Sequence, residues 1–180
     1  MPAARNCAPD DTTMTERSLT ELLRGKGAHA DPLACVEDIS AELAARHVAG
    51  FPHSVGQLLF HINYWMNYEL RRIRGEHPKY PEHAAESFPP SPSPATAQEW
   101  DQLRRDFAWF LAEYAELAKS SAPEMQRQIE SSRDDDKKTA GSLEAVLWQM
   151  VAHTSYHVGQ IVVLRQALGA WPPRGGGDTW

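Results

Sequence analysis

The sequence predicts an all-α domain, a four-helix bundle with a long Pro-rich crossover between the second and third long helices. Three observations predict it. Apolar residues recur at helical spacing in four separate segments. Those segments open or close on helix start and stop chemistry. No segment shows the apolar-polar alternation of a half-buried strand, and no internal repeat is visible.

Residues 1–14 carry no periodic pattern and are expected to be disordered. A short helix is expected from about Glu16 to Arg24, stopped at Gly25-Lys26-Gly27. Asp31-Pro32 is a start signal, since Asp accepts from free N–H groups and Pro suits the first helical position. From there Leu33, Val36, Ile39, Leu43 and His47 recur at helical spacing, predicting one helix that ends before Gly50. Ser54 and Gln57 match a capping box, and Leu58, His61, Ile62, Trp65, Tyr68 and Glu69 follow as far as Gly75.

Residues 76–95 hold six of the chain's 13 prolines, and no regular element is expected there. Thr96 with Glu99 is a second capping box, ahead of Trp100, Leu103, Phe107, Phe110, Tyr114 and Leu117. Residues 124–141 are polar, suggesting a frayed helix and then a loop. The last long helix is expected from near Ser142 to Gly169, with Pro172 and Pro173 as its stop. The domain thus spans 15–173, and 174–180 reads as a flexible tail.

At 180 residues the chain suits one domain, with 42% hydrophobic and 23% charged residues. A formal charge of −6, with the basic residues scattered in small groups, argues against a nucleic-acid partner. No apolar run approaches the ~20 residues of a membrane span, and no secretory leader pattern opens the chain. Cys7 and Cys35 are the only cysteines, and their contexts make a disulfide unexpected. The expectation is a soluble, cytoplasmic protein whose partner is a small molecule or another protein.

His153 and His157 are the residues that point to chemistry. Four residues apart in a helix, they lie ~40° apart around the axis and ~6 Å along it, close enough to share one ion. Both fall on the apolar stripe. His61 lies on the apolar face of its own helix, between Leu58 and Trp65, where it can meet that pair across a bundle core. Three neutral imidazoles plus water make an open site of the catalytic type. The bound water would be acidified towards hydroxide or displaced by a thiolate.

Spacing alone leaves a second reading open, in which the same rings are satisfied core histidines. His47 is the best spare ligand, although a histidine near a helix C-terminus is favoured by the dipole in any case. His53 is expected to pack where the second long helix begins; His29, His77 and His83 receive no role. Gln57, Asn63, Glu69, Gln149 and Gln160 lie near the ligand stripes, and any of them could orient a ring. Trp65, Trp100, Trp109, Phe107 and Phe110 read as core. There is no phosphate loop, no G-x-S-x-G elbow and no H-E-x-x-H, because Thr154 stands where that motif has Glu. Asp134–Asp136 reads as a solvated turn.

Two segments also carry a family likeness. Phe51-Pro52-His53-Ser54-Val55-Gly56-Gln57-Leu58-Leu59-Phe60-His61 resembles the first signature of the DinB-like, YfiT-like superfamily of bacterial damage-inducible proteins. His153-Thr154-Ser155-Tyr156-His157-Val158-Gly159-Gln160-Ile161 resembles its second, and the ending Leu164 to Pro173 is similar to that of members. The likeness covers roughly residues 18–173, in order and spacing. It implies a four-helix bundle holding one divalent ion, nickel or zinc foremost and manganese, iron or cobalt next. By resemblance the ligands are His61, His153 and His157.

Members with assigned activity include transferases and isomerases that use low-molecular-weight thiols, and homodimers are common. The resemblance therefore implies a metal-dependent thiol S-transferase. The alternatives are a non-enzymatic, stress-related metal- or ligand-binding module, an ion that only braces the core, and a metal-hydroxide hydrolase.

Overall fold

The computed structural model describes residues 19–131 and 141–176. The stretch expected to be disordered, Cys7, the Asp134–Asp136 run and residues 177–180 lie outside them. The described chain is all-α apart from one short strand pair. Its elements are a helical turn at 19–23 (α1), α2 (Ala34–Glu37), α3 (Ala41–Ala45), α4 (Val55–Ile73), α5 (Ala97–Leu117), α6 (Ala122–Met125) and α7 (Leu143–Ala167).

Three of these are long, and α4 packs against both α5 and α7. Their apolar faces meet in one core that includes Leu59, Ile62, Met66, Phe107, Tyr114, Leu147, Met150 and Ile161. None of the described helices is long and apolar enough to cross a membrane.

The first expected long helix is the main correction. Its apolar spacing is real, and Val36, Ile39 and Ala44 are buried, but the chain breaks between Glu37 and Ala41. Tertiary bonds hold that break open. Trp100 Nε1 donates to the Ile39 carbonyl at 2.7 Å, and Arg104 donates to the Glu37 carbonyl at 2.6 Å. Asp38 accepts from Arg165 at 2.6 Å and from the Arg174 N–H at 2.6 Å. Ser40 then caps α3 by accepting from the Leu43 N–H at 3.2 Å. Carbonyls that would have continued a helix serve other elements instead, and intrinsic propensity yields to them.

The other helix starts follow local chemistry. Asp31 accepts from the Leu33 N–H at 2.9 Å. Ser54 and Gln57 form the complete capping box, at 3.2 and 3.1 Å. Thr96 accepts from the Glu99 N–H, but the Glu99 carboxylate reaches past it to the Ala95 N–H at 2.7 Å, so that box is half formed.

Two segments read as irregular contain short regular pieces. A 3-10 turn, Ala84–Ser87, interrupts the crossover. The antiparallel strands β1 (Gln128–Ile129) and β2 (Gly141–Ser142) pair two residues each just before α7. Pairs this short leave no alternation to read.

The crossover lies closely on α4. Ser54 Oγ donates to the Ser93 carbonyl at 3.1 Å, and Gln57 Nε2 donates to the Pro89 carbonyl at 3.1 Å. Gly56 permits this approach, because a Cβ there would stand 2.3 Å from both Ser93 O and Pro94 Cδ. Trp109, read as core, is instead 46% exposed on the outer face of α5, with the Arg74 guanidinium 5.7 Å from its ring centroid.

Candidate metal centre

His61 stands mid-way along α4, and His153 and His157 occupy adjacent turns of α7. Packing of those helices brings the three imidazoles together, and one nitrogen from each lies within 4.8 Å of the others. His153 Nε2 is 3.2 Å from His61 Nε2 and 3.1 Å from His157 Nε2. His61 and His157 are buried, and His153 is partly so. The sequence-predicted trio is therefore one cluster. Among the described residues no fourth His, Cys, Asp or Glu joins it.

Hydrogen bonds around the trio assign the protons. Ser87 Oγ donates to the Ala84 carbonyl at 2.6 Å, which spends its only hydrogen. It must therefore accept at its 2.8 Å contact with His61 Nδ1, which carries a proton. His61 Nε2 is left as a bare lone pair. Gln160 Oε1 likewise accepts from His157 Nδ1 at 2.7 Å and leaves His157 Nε2 bare. Both lone pairs point at His153 Nε2, so the centre of the cluster requires a proton or a cation. His153 Nδ1 is buried without a hydrogen-bond partner.

Burial keeps the rings neutral. It pushes His61 down to about 3 and His153 down to about 4, and it lowers His157 as well, with the neighbouring histidines adding to the shift at His61 and His153. Three neutral imidazole nitrogens with two orientations fixed are a donor set that fits a borderline divalent cation.

The sign of the pH dependence follows for the metal-free protein. These histidines titrate below their unfolded value of about 6.5, so in acid the unfolded chain binds protons that the folded chain refuses. The contribution of these histidines to stability is expected to be constant above neutrality and to fall as pH drops from about 6.5 towards 4. Urea midpoints measured across that range check it, and a midpoint that rises on acidification contradicts it.

Aromatic rings close around His61. Phe88 stacks on it at 4.0 Å, and His53 stacks on the far side of Phe88 at 3.9 Å. Trp65 meets it edge-on at 6.4 Å, and the exposed Tyr156 meets His157 at 4.9 Å. His53 thus packs at the start of α4, as expected. His47 does not join the centre. It lies beyond α3, exposed, with Nε2 3.1 Å from Ser91 Oγ, because the helix that would have carried it inward is broken.

Of the five polar candidates for orienting a ring, Gln160 alone contacts one. Gln57 caps its helix, Asn63 donates to the Leu103 carbonyl at 2.9 Å, Glu69 pairs with Arg72 at 2.6 Å, and Gln149 is exposed. Ser87 and Phe88 were not foreseen, since nothing in a Pro-rich stretch indicates which residue will face a helix. Each of Ser87→Ala and Gln160→Leu is expected to weaken metal affinity by about 10–100-fold, by freeing one ring to rotate or change tautomer. Competition with a chromogenic chelator measures it, and an unchanged affinity in both variants contradicts the assignment.

A helical domain in which facing helices present three neutral, convergent imidazoles belongs to the class of proteins equipped to hold a divalent ion. The chain is a member of the DinB superfamily, whose family profile matches residues 26–161. No curated protein matches it.

Proposed function

We propose that the chain is a metal-dependent enzyme acting with a low-molecular-weight thiol, in the manner of an S-transferase. The observation that carries this is the set of three convergent Nε2 atoms, two of them fixed as lone pairs by Ser87 and Gln160. His61, His153 and His157 would hold a divalent cation, and the chemistry it would supply there is that of a Lewis acid that lowers the pKa of a thiol.

The chain's own residues do the rest. Burial keeps the rings unprotonated at neutral pH. Phe88 and Trp65 shield the His61 ring, and Ser87 and Gln160 hold two rings in register. A hydrolase would also need a positioned base, and the cluster contains no carboxylate. A thiol needs none, because its acidification already yields the nucleophile. All-imidazole ligation suits nickel or zinc first, with iron, cobalt and manganese to be compared.

The test is metal analysis of the purified protein, then conjugation of glutathione, mycothiol or bacillithiol to chlorodinitrobenzene by wild type and His157→Ala. One ion per chain and turnover lost in the variant are expected. Stoichiometric metal without conjugation would instead support a non-enzymatic binding module. A protein that takes up no stoichiometric metal under metal-replete conditions would remove the reading altogether.

A further inference from the structure

His29 received no role from the sequence, yet the fold joins it to a serine 126 positions away. His29 Nε2 lies 2.8 Å from Ser155 Oγ, and His29 Nδ1 lies 2.8 Å from the Ala30 carbonyl. A carbonyl can only accept, so Nδ1 carries the proton and Nε2 is a bare lone pair. The Ser155 hydroxyl therefore donates to Nε2. This is a nucleophile hydrogen-bonded to a base whose far side is oriented by a third group.

The arrangement is built into the backbone. Gly25 sits at φ +73°, and a Cβ there would stand 2.5 Å from the His29 carbonyl oxygen, 2.7 Å from His29 Nδ1 and 2.9 Å from the Ala30 carbonyl oxygen, so only glycine lets this turn close on the ring and the carbonyl that holds it. Ser155 is two residues from each proposed metal ligand, about 200° around the helix, and so faces away from the metal centre. The helix surface beside it is low. Ala152, one turn before, is exposed, and so is Gly159, one turn after, where a Cβ would meet nothing within 4 Å.

We infer that Ser155 and His29 form a second reactive centre, a metal-independent nucleophile–base pair for acyl or phosphonyl electrophiles. Ser155 Oγ bonds to the electrophilic carbon or phosphorus as its proton moves to His29 Nε2. The bond to the leaving group breaks, and the leaving group departs with the electron pair. It recovers the proton from His29 or, if weakly basic, leaves as an anion while the proton passes to solvent. The backbone N–H groups around Ser155 are engaged in the α7 ladder and donate nothing to a developing oxyanion. The pair therefore suits substrates with good leaving groups, such as activated phenyl esters and thioesters.

An alkyl fluorophosphonate tests this on the full chain, with and without zinc, with the adduct located by peptide mass spectrometry. One adduct on Ser155 is expected, at the same rate in both states, and none there in Ser155→Ala. His29→Gln is expected to slow labelling by about 100-fold, the usual scale of a positioned base. Gly25→Ala, which keeps both reactive side chains but crowds the ring, should slow it as well. Far-UV dichroism and a thermal melt identify which variants remain folded. Wild-type labelling only at other residues, or undiminished labelling of Ser155 in a folded His29→Gln or Gly25→Ala variant, overturns the inference. So does labelling that requires zinc and survives Ser155→Ala.

Discussion

Replacing His157 with alanine is expected to strip the protein of stoichiometric divalent metal. The side chain contributes one of three converging nitrogens, 3.1 Å from His153 Nε2, and its orientation is fixed by Gln160. With His61 and His153 alone, the remaining positions around an ion fall to water. Loss of a ring's hydrogen-bond partner typically costs 10–100-fold in affinity, and loss of the ligand itself is expected to exceed about 100-fold. The fold should survive, because the change removes one of the two lone pairs directed at His153 Nε2 and alanine favours helix. Metal content after dialysis, read beside far-UV dichroism, measures both. A variant that retains one ion per chain at wild-type affinity would show that His157 is a core histidine and not a ligand.

The second large effect is expected far from the metal. Arg165 is 1% exposed and is the largest fully buried side chain among the described residues. It donates to Asp38 at 2.6 Å, to the Cys35 carbonyl at 2.7 Å and to the Ala170 carbonyl at 2.9 and 2.7 Å, and it lies 5.8 Å from the Trp171 ring centroid. These bonds tie α7 to α2 and to the segment that follows α7. Arg165→Met fills a similar volume but leaves two carbonyls and one oxygen of Asp38 without their donor, while the Arg174 N–H still serves the other Asp38 oxygen. Breaking a buried pair from one side typically costs about 3–5 kcal/mol. For a chain of this size that lowers the melting temperature by on the order of 10 °C. Calorimetry checks it, and a shift of a degree or two would mean that water replaces the guanidinium at little cost.

Cys35 belongs to the same region. Its thiol is free and buried, and burial pushes it up to about 12. A thiol in that state is a packing group and a poor nucleophile.

Much of the fold was legible because the relevant forces are local. Ser54 and Gln57 satisfy each other's backbone donors within four residues, so the start of α4 is written in one short motif. The apolar faces of α4 and α5 repeat at the helical period, α7 is apolar on most sides and buries residues at that period, and this burial positions His61 and His157 as their spacing required. The paired signatures around His61 and His153 marked the same residues that the packing joins.

What was not legible depends on partners distant in sequence. Ile39 and Asp38 carry a helical pattern, and only the bonds to Trp100, Arg165 and Arg174 make them a break. That break removes His47 from contention as a ligand. Ser87 lies in a stretch where Pro suppresses any periodic signal, and its role exists only because the crossover lies against α4. His29 and Ser155 are similarly silent in the chain, being 126 residues apart with no motif between them.

By itself, then, the sequence determined that α4, α5 and α7 form and which three histidines α4 and α7 bring together, because periodicity and capping act within a few residues. Only the tertiary structure decided the tautomers of His61 and His157, the partners that hold those two rings, the split of the first expected helix and the pairing of His29 with Ser155. Apart from the Gln160 bond to His157, which is local to α7, each of these rests on hydrogen bonds between groups remote along the chain, and their existence depends on packing that no local pattern encodes.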